Sequence, residues 1–331
     1  MAVLGNTMID LIDKYSREDP NGQVVKIIEM LAQVNPVLDD AIMMECNKGT
    51  THMHTVRTGL PAVTWGKLYK GIQQSKSKTA QVEDTTGFVE GLSTVDTRLL
   101  DLGNEGAIRL SEAQSYLEAM SQEVATKLFY GNTADDPEEF LGFAPRFNDK
   151  SAPNGGQIID AGGTGSDNTS IWFVSWGDNQ CSMLYPKGSQ AGVQRKDMGE
   201  QRVTDGDGEA YYAKEEKFTW HAGLAVKDWR YVSRVANIDV SDMAAGSVKL
   251  YDFMRKAYYK LQTRRVPGGK LAIYCNRDVL EALDALATNA GASDSFVRLK
   301  PMEIEGKEVM TYRGIPIRET DALINTEAQV V

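Results

Sequence analysis

One long amphipathic pattern constrains this chain more than anything else in it. From about Ala107 to Tyr130 the apolar residues Leu110, Ala113, Leu117, Met120, Val124 and Leu128 step by three or four, while Glu112, Glu118, Glu123 and Lys127 take other faces. The spacing predicts a single helix of some 24 residues, a rod of roughly 36 Å at 1.5 Å per residue. Asn104 and Glu105 favour its start, and Gly131-Asn132 supply a left-handed stop. A rod of that length is fit to be the backbone of a flattened molecule.

Upstream, Leu4 to Tyr15 and Gln23 to Gln33 carry short helical patterns interrupted by Pro20-Asn21-Gly22 and closed by Asn35-Pro36, followed by a short turn at Leu38 to Ile42. They read as an arm. Downstream of the rod, Ile158-Ile159, Ile171 to Val174 and Met183 to Tyr185 read as buried strands. Residues 200–224 alternate around the hairpin turn Asp205-Gly206-Asp207-Gly208. Val248 to Leu261 is an amphipathic helix and Leu271 to Tyr274 a strand, after which Asn276 caps a helix carrying Val279, Leu280, Leu283 and Leu286 before Gly291. Lys307 to Thr311 and Ile315 to Arg318 form a hairpin across Tyr312-Arg313-Gly314. The expected class is α+β with protruding arms, with no internal repeat and no marked linker.

Charge is unevenly spread over the 331 residues. Thirty-six Lys and Arg stand against 46 Asp and Glu, a formal net charge of −10. A pI near 5.0 repels a phosphate backbone and argues against sequence-specific nucleic-acid binding. Residues 46–82 nevertheless hold Lys48, Arg57, Lys67, Lys70, Lys76 and Lys78 and no acid, so this stretch is +6 and the remainder −16. It is β-like and turn-rich, with His54 to Thr58, Val63-Thr64-Trp65, a polar tip at Gln73 to Ser77, and alternation resuming at Thr79 to Val82. We read a long two-stranded excursion that must dock on something, since a lone hairpin is marginal in water. Its lysines are either solvated or complementary to an acidic neighbouring copy, and complementary charge sets orientation more than raw affinity.

Catalytic and metal chemistry find little footing. His52-Met53-His54 would place two imidazoles on one strand face, but no Cys pair or HExxH supplies further ligands. Gly162-Gly163-Thr164-Gly165-Ser166 lacks the Lys-Ser/Thr pair of a phosphate loop, and Asp205 to Glu209 lacks the distal glutamate of a calcium loop. His221 has no nucleophile context, and Cys46, Cys181 and Cys275 read as reduced thiols filling the core. No catalytic residue, metal site or cofactor is expected. No stretch approaches the ~18 apolar residues of a membrane span, and Ala2 to Leu4 is too short for a signal core, so a soluble, non-secreted chain is expected.

Leu128 to Thr133, Gly142 to Phe147, Gly165 to Trp172, Asp228 to Tyr231 and Arg313 to Arg318 together resemble, in order and spacing, the major capsid proteins of short-tailed bacteriophages, from about residue 20 to the end. The resemblance implies the Hong Kong 97-like fold: α+β, with an N-terminal arm, an extended β-hairpin E-loop, a peripheral domain with a long spine helix, and an axial domain. On this chain it would place the arm at 1–45, the E-loop region at 46–92, and the peripheral domain at 93–240 with the spine helix at 107–130 and a β-rich insertion. The axial domain would be 241–305, and 306–331 a C-terminal strand returning to the body. It implies a structural virion protein that assembles in the host cytoplasm into hexamers and pentamers of an icosahedral shell around double-stranded DNA, without sequence-specific binding. Scaffold, portal and cement or decoration proteins are further partners of that class. The subunit interface is then expected at Arg57, Trp65, Lys67, Leu68, Lys70, Lys76 and Lys78, with Trp65 and Leu68 as apolar anchors. The competing class is a soluble cytoplasmic α+β protein that binds a small ligand or acts as an enzyme.

Overall fold

The computed structural model describes residues 33–204, 208–264, 268–288, 299–304 and 307–331. The helical patterns of the arm, up to Ala32, and the turn residues 205–207 lie outside the described residues. In chain order the elements are α1 (Val37–Asp40), β1 (Met43–Glu45), β2 (Thr51–Gly59), β3 (Lys78–Asp96), α2 (Thr97–Asp101), α3 (Glu105–Tyr130) and α4 (Phe143–Arg146). There follow β4 (Ile158–Asp160), β5 (Asn168–Trp176), β6 (Cys181–Tyr185), β7 (Val193–Thr204), β8 (Ala210–Val226), β9 (Val232–Asp239) and α5 (Val240–Ala244). The last are α6 (Leu250–Lys260), β10 (Lys270–Cys275), α7 (Arg277–Thr288), β11 (Lys300–Ile304), β12 (Lys307–Tyr312) and β13 (Ile315–Glu319).

The long helix is where the periodicity places it, starting two residues early. Asn104 sits in the left-handed region at φ +63, and its carbonyl accepts from Ala107 N and Ile108 N, both at 3.1 Å. The chain divides into two compact units, one holding Phe88–Ala125 and Gly192–His221, the other Asn35–Gly87, Thr126–Ala191 and Ala222–Val331.

In the first unit β7 and β8 form an antiparallel hairpin whose register runs from Val193 opposite Trp220 to Thr204 opposite Ala210, and β8 also pairs with β3. Tyr116 of α3 stacks on Phe218 of β8, ring centres 5.4 Å apart and planes 10° from parallel, and its hydroxyl donates to Leu92 O at 2.8 Å. A side chain at Gly91 would meet Tyr116 at 2.7 Å, so glycine is required there. Around this stack runs an ionic lattice. Arg109 pairs with Asp197 at 2.8 Å and with the buried Glu216. Arg195 makes a two-point contact with Glu216 at 2.9 and 2.8 Å, and Lys214 holds Glu105 at 2.7 Å.

The second unit is built on β5, which is buried along its whole length. It runs antiparallel to β9 and β10, and β10 runs parallel to β13. Alternation sends Ile171 and Phe173 to one face and Trp172 and Trp176 to the other. The first pair joins Ile273, Cys275 and Ile317 beneath α6 and α7, whose Leu250, Met254, Ala257, Val279 and Leu283 complete the main core. The second pair meets Phe129 and Phe143 with ring centres 5.8–6.2 Å apart, and each aromatic contact of this kind adds about 0.5–1.5 kcal/mol beyond its area. Where the long helix ends, Gly131 N donates to Lys127 O and Gly142 N to Gly131 O, both at 2.8 Å. A side chain at Gly142 would lie 2.6 Å from Lys127 O.

Two buried polar networks tie the segments at Asp40 and Glu327 to this core. Trp176 Nε1 donates to the Tyr274 hydroxyl at 2.8 Å, which donates to Asp40 at 3.2 Å, and Arg318 reaches Asp40 from the other side at 3.1 Å. Near the C-terminus, Glu327 accepts from Arg234 Nη2 at 2.8 Å, from the Tyr130 hydroxyl at 2.5 Å and from Ser170. Asn276 caps α7 as expected, accepting from Val279 N at 3.0 Å, and the Tyr312-Arg313-Gly314 hairpin forms with Tyr312 opposite Ile315.

Candidate assembly interface

The acid-free basic stretch folds as a hairpin stem crowned by a long loop. β2 and β3 pair antiparallel from Thr51 opposite Thr85 to Gly59 opposite Lys78, with the register shifting between Arg57 and Gly59. The expected strand at Val63-Thr64-Trp65 is not formed, and residues 60–77 contain no strand. Pro61 removes a ladder donor and restrains Leu60, and Gly66 follows at once, so the three β-formers have neither the length nor the partner a strand requires.

The base of the stem is firmly held. Asp84 is buried and accepts from Arg146 Nη2 at 2.8 Å, while Arg146 also donates to Leu224 O at 3.0 Å. His52 and His54 share one face of β2, as the spacing predicts, with rings stacked 6.2 Å apart, and His54 Nδ1 lies 3.7 Å from Asp84. Burial pulls both imidazoles below their ordinary pKa, helped by Lys227 and opposed by Asp84. Among the described residues no group of three or more His, Cys, Asp or Glu is gathered to hold a metal ion. Asn47 brackets Met53, its Nδ2 donating to Met53 O at 2.6 Å and its Oδ1 accepting from Met53 N at 2.9 Å. Glu83 accepts from Thr51 Oγ1 at 2.7 Å and pairs with Lys48 at 3.5 Å, and both contacts hold its carboxyl below the usual range. Gly87 is demanded by close approach, since a Cβ there would lie 2.7 Å from Glu138 O.

The tip has none of this support. Trp65 is 96% and Leu68 90% exposed, and Leu60, Val63, Tyr69 and Ile72 are exposed with them. Tyr69 adopts a left-handed φ of +61 in a turn closed by Lys70 N donating to Lys67 O at 3.2 Å. Ser75 Oγ donates to Ala62 O at 2.7 Å. Arg57, Lys67, Lys70, Lys76 and Lys78 are all exposed, and none of them pairs with an acid among the described residues. The structure thus brings all seven expected interface residues to the outer part of one hairpin. Sequence reasoning placed the two imidazoles on one strand face but missed what anchors the stem beside them, the Asp84–Arg146 pair.

Comparison with known proteins gives this geometry a context. A family model described as Major capsid protein GP7 matches residues 19–331. A chain in the near-atomic cryo-EM structure of bacteriophage Epsilon15 is 39% identical, with 100% of this chain and 99% of that one covered and a TM-score of 0.76. The capsid of bacteriophage JBD30 shares the fold at 11% identity, with 89% and 93% coverage and a TM-score of 0.54. No curated protein matches the chain. The expected α+β Hong Kong 97-like architecture with its long helix is borne out, as is a structural, non-enzymatic role in the virion shell. No helix among the described residues is long and apolar enough to cross a membrane. The chain belongs to the GP7 family of phage major capsid proteins.

Proposed function

We propose that residues 46–92 are the E-loop, whose 60–77 tip is the part by which one copy grips the next, within hexamers and pentamers that close an icosahedral shell around double-stranded DNA. The observation that carries this reading is the exposure of Trp65 and Leu68 on a stem whose base is pinned by Asp84 and Arg146. An apolar pair held in water on a rigid stalk is an anchor awaiting a pocket, and such side chains dominate the energetics of interfaces. The basic residues Arg57, Lys67, Lys70, Lys76 and Lys78 surround the anchors, so the receiving surface is acidic. The segments Phe88–Ala125 and Gly192–His221 hold 14 Asp and Glu against seven Lys and Arg, which supports the corresponding unit of a neighbouring copy as the receiver. Charge then sets register, while Trp65 and Leu68 supply affinity. Scaffold, portal and cement or decoration proteins are partners of the same assembly.

The test is electron microscopy of the purified chain beside a variant with Lys67, Lys70, Lys76 and Lys78 reversed to Glu. Rings or shells from the wild type and their loss in a variant that keeps its circular dichroism support the reading. Equal assembly by both would show that the lysines are only solvated, and a wild type that stays monomeric at high concentration would overturn the proposal.

A further inference from the structure

A second basic surface lies on α6 and its flanks, far in sequence from the hairpin. From Lys249 to Lys270 the chain carries seven Lys and Arg and a single acid, Asp252. Because α6 buries Leu250, Tyr251, Met254 and Ala257, the helical period turns Arg255, Lys256, Tyr259 and Lys260 to its exposed side. Two further guanidinium groups are fixed beside them. Arg264 lies 5.5 and 5.0 Å from the ring centres of Tyr258 and Tyr259, and Arg313 lies 5.1 and 5.3 Å from the same rings. Arg313 Nη1 donates to the Tyr259 hydroxyl at 3.1 Å. Stacked arginines are already ordered, so they lose little freedom when a partner arrives. The one acid, Asp252, pairs with Arg255 at 3.0 Å in an exposed contact that leaves the face basic.

The neighbouring helix has the opposite sign. α7 buries Val279 and Leu283 and exposes Asp278, Glu281 and Asp284 at a spacing of three, with no basic residue in its last turn. Arg277, at its start, is engaged chiefly by Glu319 at 2.8 Å and Asp321 at 3.5 Å, with Asp278 a lesser partner. Both helices pack on the same core, so each copy carries a basic and an acidic helix face on one unit. Like faces repel when two such copies meet, whereas a head-to-tail contact pairs opposite charges and repeats around a closed ring.

We propose that the basic α6 face of one copy docks on the acidic α7 face of the next, making a second contact between copies that is independent of the hairpin. It rests on the reading of the chain as a shell-forming subunit. The test compares assembly of the wild type, R255E/K256E/K260E, D278K/E281K and the chain carrying both sets, by sedimentation and electron microscopy, with circular dichroism to verify folding. Each set alone is expected to lower the assembled fraction by at least about tenfold, since facing like charges cost several kcal/mol, and the combined chain to recover most of it. The neutral variant R255Q/K256Q/K260Q guards against misfolding and should assemble with a weaker dependence on salt than the wild type. Normal assembly by both single sets overturns the proposal, as does failure of the combined chain to recover. Normal shells from R255E/K256E/K260E that retain less nuclease-protected DNA would assign the α6 face to a polyanion and overturn it too. A wild type that never assembles overturns the shell reading itself, an outcome distinct from all of these.

Discussion

Removing Glu327 tests whether a buried charge pair holds the C-terminal segment in place. The side chains of Arg234 and Glu327 are each only 3% exposed and meet at 2.8 Å. Arg234 also donates to Phe147 O at 2.8 Å and to Ser170 Oγ at 3.0 Å, and lies 4.9 Å over the Trp172 ring. In Glu327→Ala the guanidinium keeps those contacts but loses its counter-charge, and Tyr130 loses its acceptor. Burial and the Glu327 carboxylate raise the pKa of the Tyr130 hydroxyl, so it stays a proton donor. Breaking a buried pair from one side costs about 3–5 kcal/mol. At roughly 2 °C or more per kcal/mol for a unit of this size, the unfolding midpoint should fall by at least about 6 °C. Thermal unfolding followed by circular dichroism reads this directly. The decisive comparison is R234M/E327L, because replacing both charges by apolar groups of similar volume is often neutral. The double variant should therefore recover most of what Glu327→Ala loses. If Glu327→Ala unfolds within about 1 kcal/mol of the wild type, or if R234M/E327L loses as much as R234M and E327L lose separately in sum, Arg234 and Glu327 do not act as a pair.

Two further outcomes follow from the titrating groups. His52 and His54 have pKa values lowered in the folded chain, chiefly by burial, so below the ordinary value of about 6.5 the unfolded chain takes up protons that the folded one refuses. Stability should be steady above that pH and decline between pH 6.5 and 5.5, and H52Q/H54Q should flatten the decline; an identical slope in both proteins, measured by urea midpoints, would refute the assignment. The thiols are the second case: burial pushes Cys46 up to about 11 and Cys275 up to about 12, and raises Cys181 as well. At pH 8 the lost thiolate alone should slow alkylation of Cys46 about a hundredfold relative to a thiol with the ordinary value of 9.0. Rapid labelling of the native chain would show that the site opens.

What could be read from the sequence depended on the range of the forces involved. The 105–130 helix and the hairpin at Tyr312-Arg313-Gly314 are set by local spacing and turn chemistry, and both stand where the residues place them. Val63-Thr64-Trp65 misled because propensity counts only where a partner strand exists, and Pro61 and Gly66 leave none. The anchors were invisible for a different reason. Asp84 meets Arg146 across 62 positions and Arg234 meets Glu327 across 93, and no local pattern marks either pair. The basic run from Lys249 to Lys270 is legible by simple counting, with seven Lys and Arg against one acid, but its placement on an exposed helix face follows only from the packing of α6.

The unsupported tip has a consequence for fidelity. Each residue of the 60–77 segment that becomes fixed on a neighbour forfeits roughly 1–2 kcal/mol of backbone freedom, and that loss offsets much of what Trp65 and Leu68 gain by leaving water. If the tip is the grip proposed for it, a single grip is therefore weak and quickly released. A copy landing in the wrong orientation would then detach before the next arrives, whereas a correctly seated one would be retained by several grips at once. Closure would then select among reversible attempts, and error correction would rest on the tip having no core of its own.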